Sequence, residues 1–359
     1  MVQVTYPHPL MASRASYLGI DFGSGGIKLV ELANEKGRAR LFTYAFVERP
    51  PAEANINYLD DPKATAELLK KMLKSAKNVS RKAVAGLPIA SVFTSIINVQ
   101  KTSNAAEMDE AVKWQAKKLI PLPIEEMGLI WQVMPSASPK AEDKYQEVLI
   151  TAAAKTMIQK YTSIFAMAGL ELLSLETEAF ALIRSLVGRD KSTTMLVDVG
   201  ANRTNIIIVE NGIPYVNRSI AVGGNNVTRE VANALGLPED QAETMKLDAA
   251  ALGALYQGGG FPKVFEKVFA PVVTELNYSA NLFLGQKANE GKRIEKIILS
   301  GGGALLPNLS EHLAKAMNLR VYIGDPWARV VYPDPLKPVL SQIGARFAVS
   351  IGLAMRDID

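Results

Sequence analysis

Three short glycine-rich turns carry the residue types that handle phosphate. The first, GIDFGSGGIKLVEL, sets Asp21 at the end of an apolar run, then Gly23, Ser24, Gly25 and Gly26, then Lys28. Glycines let successive backbone N–H groups surround an anion, and a serine adds a hydroxyl donor. The lysine adds a compact positive charge and the acid can hold hydrated Mg2+. Seen alone, this turn reads better as a plain β-turn. The second, LVDVGANRTNIIIV, places Asp198, Gly200, Asn202 and Thr204 at the matching positions. A carboxylate at a buried strand end is costly unless it is hydrogen-bonded, paired or beside a cation. Asp198 therefore either accepts backbone bonds in a tight turn or shares a metal ion, and the first copy favours the metal. The third, ILSGGGALLPNL, sets Gly301, Gly302 and Gly303 between an apolar strand and a helix start, where an adenosine could lie against the backbone. Its spacing fits neither GxGxxG nor the Gly-Lys-Ser/Thr of a P-loop, which argues against both of those nucleotide folds.

The elements that would position these turns repeat. YLGID, IKLVELAN and RLFTYAFVE read as a strand meander, and TTMLVDVGANRTNIIIVENGIPYVNRSIAVGG repeats it with an Asn211-Gly212 turn. Two such modules, each ending a strand in an acid, could grip one phosphate chain from opposite sides. Between them, Asp61 to Lys77 has helical spacing with a good start at Asp61-Pro62. The stretch from Arg81 to Ala154 reads as a small inserted α+β unit: two strands in RKAVAGLPIASVFTSIINVQ, an amphipathic helix AAEMDEAVKWQAKKLIPLP, then GLIWQVMP and YQEVLITAAA around the polar loop SASPKAED. The second half adds helices in NNVTREVANALGL and EDQAETMKLDAA, a loop GALYQGGG, and a long helix that bends near Pro271. The final LSQIGARFAVSIGLAMR reads as one small-residue helix.

A chain of 359 residues is comfortable as two lobes. Its 48% hydrophobic and 21% charged residues are those of an ordinary globular protein. A net charge of +4, with both signs interspersed, does not make a nucleic-acid groove. Lys70, Lys71, Lys74 and Lys77 read as a solvated helix face rather than a lipid contact, because no apolar wedge accompanies them. There is no cysteine, which excludes disulfides and thiolate chemistry and fits a reducing cytoplasm. No apolar run is long enough to span a membrane, and residues 1–14 read as a loose tail. His8 and His312 are expected to face solvent, and Trp114 to serve a core.

Taken in this order, the three turns resemble the phosphate-1, phosphate-2 and adenosine motifs of the actin, heat-shock chaperone and hexokinase superfamily. The resemblance implies an α/β, actin-like (ribonuclease H-like) two-lobe fold with an inserted α+β 1C subdomain. Its divisions would be a tail at 1–14; subdomain 1A at 15–80, 155–192 and 330–359; 1C at 81–154; 2A at 193–224 and 292–329; and 2B at 225–291. The opening LGIDFGSGGIKLVEL, with ETEAFALIRSL and GLPEDQAETMKLD, is similar to the PilM branch of the FtsA and PilM group. Unlike FtsA, the sequence shows no linker and amphipathic membrane helix after the helix expected to close the first lobe. The resemblance implies bound ATP and Mg2+, with Asp21 and Asp198 at the metal, and Glu243 and Lys246 at ribose and base. Glu275 and Asn281 are weaker candidates. It puts Glu178 where related filaments orient the attacking water; equally, that acid could simply stabilise a helix start. Closure would hinge near Ser192 to Thr194 and before the last helix. The implied partner is the N-terminal cytoplasmic segment of a PilN-type inner-membrane protein, docked between the first lobe and the inserted unit, along VFTSIINV and DEAVKWQAKKLI. Contact with pilus motor ATPases and self-association stay open; nucleic acid and direct membrane insertion are not expected. The expected role is a scaffold with slow or absent turnover, in the cytoplasm and recruited to the inner membrane. An FtsA-like filament protein and a small-molecule kinase remain alternatives, the latter without a clear substrate-binding acid.

Overall fold

The computed structural model describes residues 15–53, 56–134, 144–253, 255, 260–286 and 289–358. The expected tail with His8, the loop 136–143 and most of the loop 253–260 lie outside the described residues.

The first lobe is built on β1 (Ser16–Gly23), β2 (Gly26–Glu35) and β3 (Arg38–Glu48), the antiparallel meander expected from the sequence. The sheet is completed by β4 (Lys82–Leu87), β8 (Glu171–Thr177) and β14 (Val330–Val331) in the order β14-β3-β2-β1-β4-β8. Both faces are covered, so the central strands are apolar almost throughout rather than alternating. On one face α1 (Pro62–Ala76) and α3 (Lys155–Met167) pack Leu69, Met72, Ile164 and Phe165 against Leu18, Ile20 and Leu29. Asp61 caps α1 by accepting from the Ala64 N–H, and the four lysines of its outer face are exposed. On the other face α10 (Ala348–Ala354) lies directly on the β1 backbone at Gly19, where a Cβ would stand 1.9 Å from the Ser350 carbonyl oxygen.

The second lobe repeats the module as β9 (Thr194–Val199), β10 (Thr204–Glu210) and β11 (Ile213–Ile220), with β12 (Lys296–Ser300) and β13 (Arg320–Ile323) added parallel, in the order β11-β10-β9-β12-β13. Asn211 and Gly212 both take positive φ, as their hairpin turn requires. Helices α5 (Gly224–Leu235), α7 (Lys263–Leu284, carrying Pro271) and α8 (Leu309–Met317) cover its outer face. Val227, Val231, Phe265 and Phe269 join Met195, Val197 and Ile206 in one core, so α5 and α7 share the core of the second sheet. The seam between lobes is formed by α4 (Glu178–Leu182), which runs into a π-helical turn at Ile183–Val187, and α10: both pack between Val84 of the first sheet and Leu196, Ile207 and Ile298 of the second. Gly352 lets them touch, since a Cβ there would fall 1.9 Å from the Ala181 carbonyl oxygen.

The inserted unit is a three-stranded sheet, β5 (Val92–Gln100), β7 (Tyr145–Ala154) and β6 (Met127–Val133), with α2 (Ala105–Leu119) on one face. Five expectations are corrected. The insertion begins at β5 and not at Arg81, because β4 pairs in parallel with β1 in the main sheet. The 2A boundary at 329 is late, since buried Trp327 joins the first lobe's core with Tyr44 and Phe347. The last helix is broken into α9 (Lys337–Ile343), a 3-10 turn at Gly344–Phe347 and α10, where Gly344 meets the Trp327 ring. Trp114 is 61% exposed on the outside of α2, and His312 is half-buried and stacked on Phe261.

Candidate nucleotide cleft

The two hairpin turns meet. Ser24 Oγ accepts a hydrogen bond from the Asn202 backbone N–H at 3.3 Å, and a Cβ on Gly25 would stand 3.2 Å from that of Ala201. Behind this junction opens a cleft of about 890 Å3. It is lined by Asp21, Gly23, Ser24, Gly25 and Lys28 from the first hairpin and by Asp198, Gly200 and Asn202 from the second. Glu178, Glu243, Lys246 and the glycines 301 to 303 complete the set that the sequence singles out. A volume of this size suits a nucleotide.

Three carboxylates, Asp21, Glu178 and Asp198, line this cleft. Asp21 lies across the hairpin from Lys28, whose Nζ is 3.6 Å from its Oδ2. Burial raises the Asp21 pKa from its ordinary value, against the pull of Lys28. Asp198 is pushed up to about 6, first by burial and then by the charge of Asp21. Glu178, the first residue of α4, is raised well above its ordinary value by burial, then by Asp21 and Asp198. Asn205 joins the lobes here: its Nδ2 donates to Asp198 Oδ2 at 3.3 Å and to Glu178 Oε2 at 3.4 Å. Mutual repulsion with one lysine nearby is the electrostatics of a site that gains from a cation. Among the described residues no three His, Cys, Asp or Glu side chains are placed to ligate one ion together. A cation here would therefore rest on Asp21 and Asp198 together with water and phosphate oxygens, the ligand set Mg2+ prefers.

The other end of the cleft lies between α5, α6 (Glu239–Met245) and the third glycine turn. Lys246 is buried; its Nζ donates to Thr228 Oγ1 at 3.1 Å and to Glu243, and burial lowers its pKa. Gly301 has φ +81° and a Cβ there would meet the Val199 carbonyl oxygen at 2.3 Å, so this turn needs glycine. Arg346, from the first lobe, pairs with Glu48 and passes Gly302.

Four candidates leave the cleft. Gly26 is not in its lining: its φ of +134° and a virtual Cβ 1.9 Å from the Val47 carbonyl oxygen give it a turn-forming role. Thr204 is fully buried and donates to the Val222 carbonyl oxygen at 2.8 Å, closing the β10 hairpin. Glu275 pairs with Arg218 on the surface and Asn281 is exposed on α7. Sequence reasoning misses Asn205, Asn225, which donates to Asn202 Oδ1 at 2.8 Å, and Arg346. Only Asn205 had a readable signal, its place opposite Asp198 at the spacing that puts Lys28 opposite Asp21.

Two lobes, each presenting a strand-end acid and a glycine turn to a shared cleft, define an actin-like protein of the ribonuclease H-like kind. The similarity is borne out by a solved PilM-PilN type IV pilus biogenesis complex, 26% identical with a TM-score of 0.82, over 96% of this chain and 99% of that one. A family model for type IV pilus assembly protein PilM matches residues 19–358, and the chain belongs to that family. MreB5 of Spiroplasma citri, solved bound to AMPPNP, shares the fold at 14% identity and a TM-score of 0.51, over 95% of each chain. A cell division protein FtsA of Borreliella burgdorferi is 30% identical over 157 residues; that alignment spans 37% of this chain and only 36% of the relative's length. Among the described residues no helix is long and apolar enough to cross a membrane.

Proposed function

We propose that this chain binds Mg-ATP in the interlobe cleft and serves as a cytoplasmic scaffold of the type IV pilus inner-membrane assembly, docking the N-terminal cytoplasmic segment of a PilN-type protein. The observation that carries the nucleotide reading is the junction of the two hairpin turns at a cleft floor holding Asp21, Asp198 and Lys28. Backbone N–H groups of Ser24, Gly25 and Ala201 would hold phosphate oxygens, the Gly200 and Asn202 N–H groups being given to the Arg203 carbonyl oxygen and Ser24 Oγ; Lys28 would add charge, and Glu243 with Lys246 would meet the ribose and base. Bound Mg2+ would neutralise phosphate charge between Asp21 and Asp198. Glu178 Oε2 already accepts from the Ile89 N–H at 3.3 Å and from Asn205 Nδ2 at 3.4 Å, and burial followed by the charges of Asp21 and Asp198 raises its pKa. With one oxygen already engaged by both donors, Glu178 would have to exchange these bonds before it could orient an attacking water, which fits slow or absent hydrolysis.

The PilN-type partner rests on family membership and on the related complex. The docking face needs revision. Helix α2 packs Met108, Val112 and Ala116 under the face of the inserted sheet that carries Ile97 and Val148, while Val92 and Ala153 belong to the first lobe's core. The lobe-facing side is thus the Thr94, Ile96, Thr151 and Ile130 side, and Ile130 is 67% exposed there. Strand β5 can line a groove beside the first lobe, but α2 cannot. Calorimetric titration with Mg-ATP and with a PilN-type peptide tests both parts. Saturable binding of each, with the peptide weakened about tenfold or more by Ile130→Asp, is the expected result. Phosphate transfer to a small metabolite without peptide binding would overturn it.

A further inference from the structure

The outer ridge of the inserted unit has no task in this account, and its chemistry is specific. Trp114 is 61% exposed on α2, with the Lys118 Nζ 2.9 Å from its ring centroid. Leu119 and Leu122 are 48% and 50% exposed where α2 ends, and Pro121 and Pro123 beside them are exposed too. Lys113, Lys117 and Lys118 are exposed around this apolar tip. The acids of the helix lie toward its start: Glu107 bonds Thr102 and Asn104, Asp109 pairs with Lys113, and Glu110 is one turn before Trp114. Across the tip, Glu125 and Glu126 are exposed in the following turn, and the Glu125 carbonyl oxygen is held by Lys155. Lys117 and Lys118 make no ion pair among the described residues.

A satisfied surface helix hides its large apolar side chains, whereas this one presents a tryptophan opposite its buried face, and beyond its last buried turn Leu119 and then Leu122 are left half-exposed. An indole beside lysines is the pairing that lies at a membrane–water boundary, with the ring at the headgroups and the ammonium groups snorkelling to phosphates. Two exposed lysines without an ion pair among the described residues stand beside this apolar tip, a charge that an anionic surface complements. We propose that the tip formed by Trp114, Lys117, Lys118, Leu119 and Leu122 rests on anionic lipid headgroups as a peripheral contact, independent of the partner-docking face and without insertion of a helix.

The test uses the full chain, without partner peptide, and vesicles of equal parts phosphatidylglycerol and phosphatidylcholine, with pure phosphatidylcholine as the reference. Sedimentation at low salt is expected to carry protein down with the anionic vesicles only, and salt to release it. Lys117→Gln with Lys118→Gln is expected to lower the partition about tenfold or more, since each lysine near an anionic surface adds a comparable increment. Trp114→Ala should lower it severalfold, and brominated lipid should quench the fluorescence of the parent but not of Trp114→Phe. Unchanged Mg-ATP affinity in these variants would show them folded. No anionic binding, or binding that the double lysine variant retains, overturns the proposal. So does a ridge that instead drives dimerisation in sedimentation velocity, or one that binds an acidic peptide while ignoring vesicles.

Discussion

The two hairpins that meet in the cleft share a register and differ in what faces their acid. Asp21 stands across from Lys28, and Asp198 stands across from Asn205 at the same spacing along the chain. The first copy therefore carries its own counter-charge. The second offers only an amide, which it splits between Asp198 and Glu178; burial and then the charge of Asp21 push Asp198 up to about 6 against that bond. The two frames are alike, and they differ in that a lysine faces the acid of one and an amide the acid of the other.

The turns beside these acids can be separated by a single methyl group. Gly26→Ala forces a Cβ into the Val47 carbonyl oxygen at a φ that L-residues avoid, and should cost about 4 kcal/mol. Gly200→Ala meets only the Arg203 carbonyl oxygen at 3.0 Å and should cost about 1 kcal/mol. Urea denaturation of both variants measures the difference; equal losses would remove the distinction between the turns.

The next largest effect concerns pH. Asp198's folded value lies above its unfolded one, so the native protein holds its proton more tightly. Its contribution to ligand-free stability is full below about 3.8 and is lost as pH rises through about 6. That loss is on the order of 3 kcal/mol. Asp198→Asn should flatten this part of the profile and leave the ligand-free protein more stable near neutral pH. Thermal unfolding across that range, without nucleotide, checks it.

A smaller change tests the difference itself. Asn205→Lys gives the second hairpin the counter-charge of the first, and should reduce the dependence of ATP affinity on Mg2+ by about tenfold. Titrations with Mg2+ and with chelator give the ratio directly.

The hairpins were legible because their strands are dense in apolar residues and end in turn residues with a steric reason to be there, as at Asn211-Gly212. The roles inside the turns were less so. Gly26 and Thr204 sit in the right motif, yet one serves the approach of β3 and the other the closure of β10. Strand β4 was assigned to the insertion because its partners, β1 and β8, are distant in sequence and parallel pairing leaves no hairpin signal. Arg346 was invisible for a similar reason: it reaches the cleft from a 3-10 turn that breaks a helix-like run, and its partner Glu48 lies at the far end of the chain. Trp114 misled because amphipathic spacing alone assigns a tryptophan to a core, while here its side of α2 faces outward.

Calorimetric titration of Mg-ATP into the parent chain and into Asp198→Asn tests the shared-cation cleft most directly. Saturable binding in the parent, weakened about a hundredfold in the variant and to the same degree by removing Mg2+, is the expected result. Affinity that survives Asp198→Asn unchanged, or a parent that takes up no nucleotide at all, would contradict it.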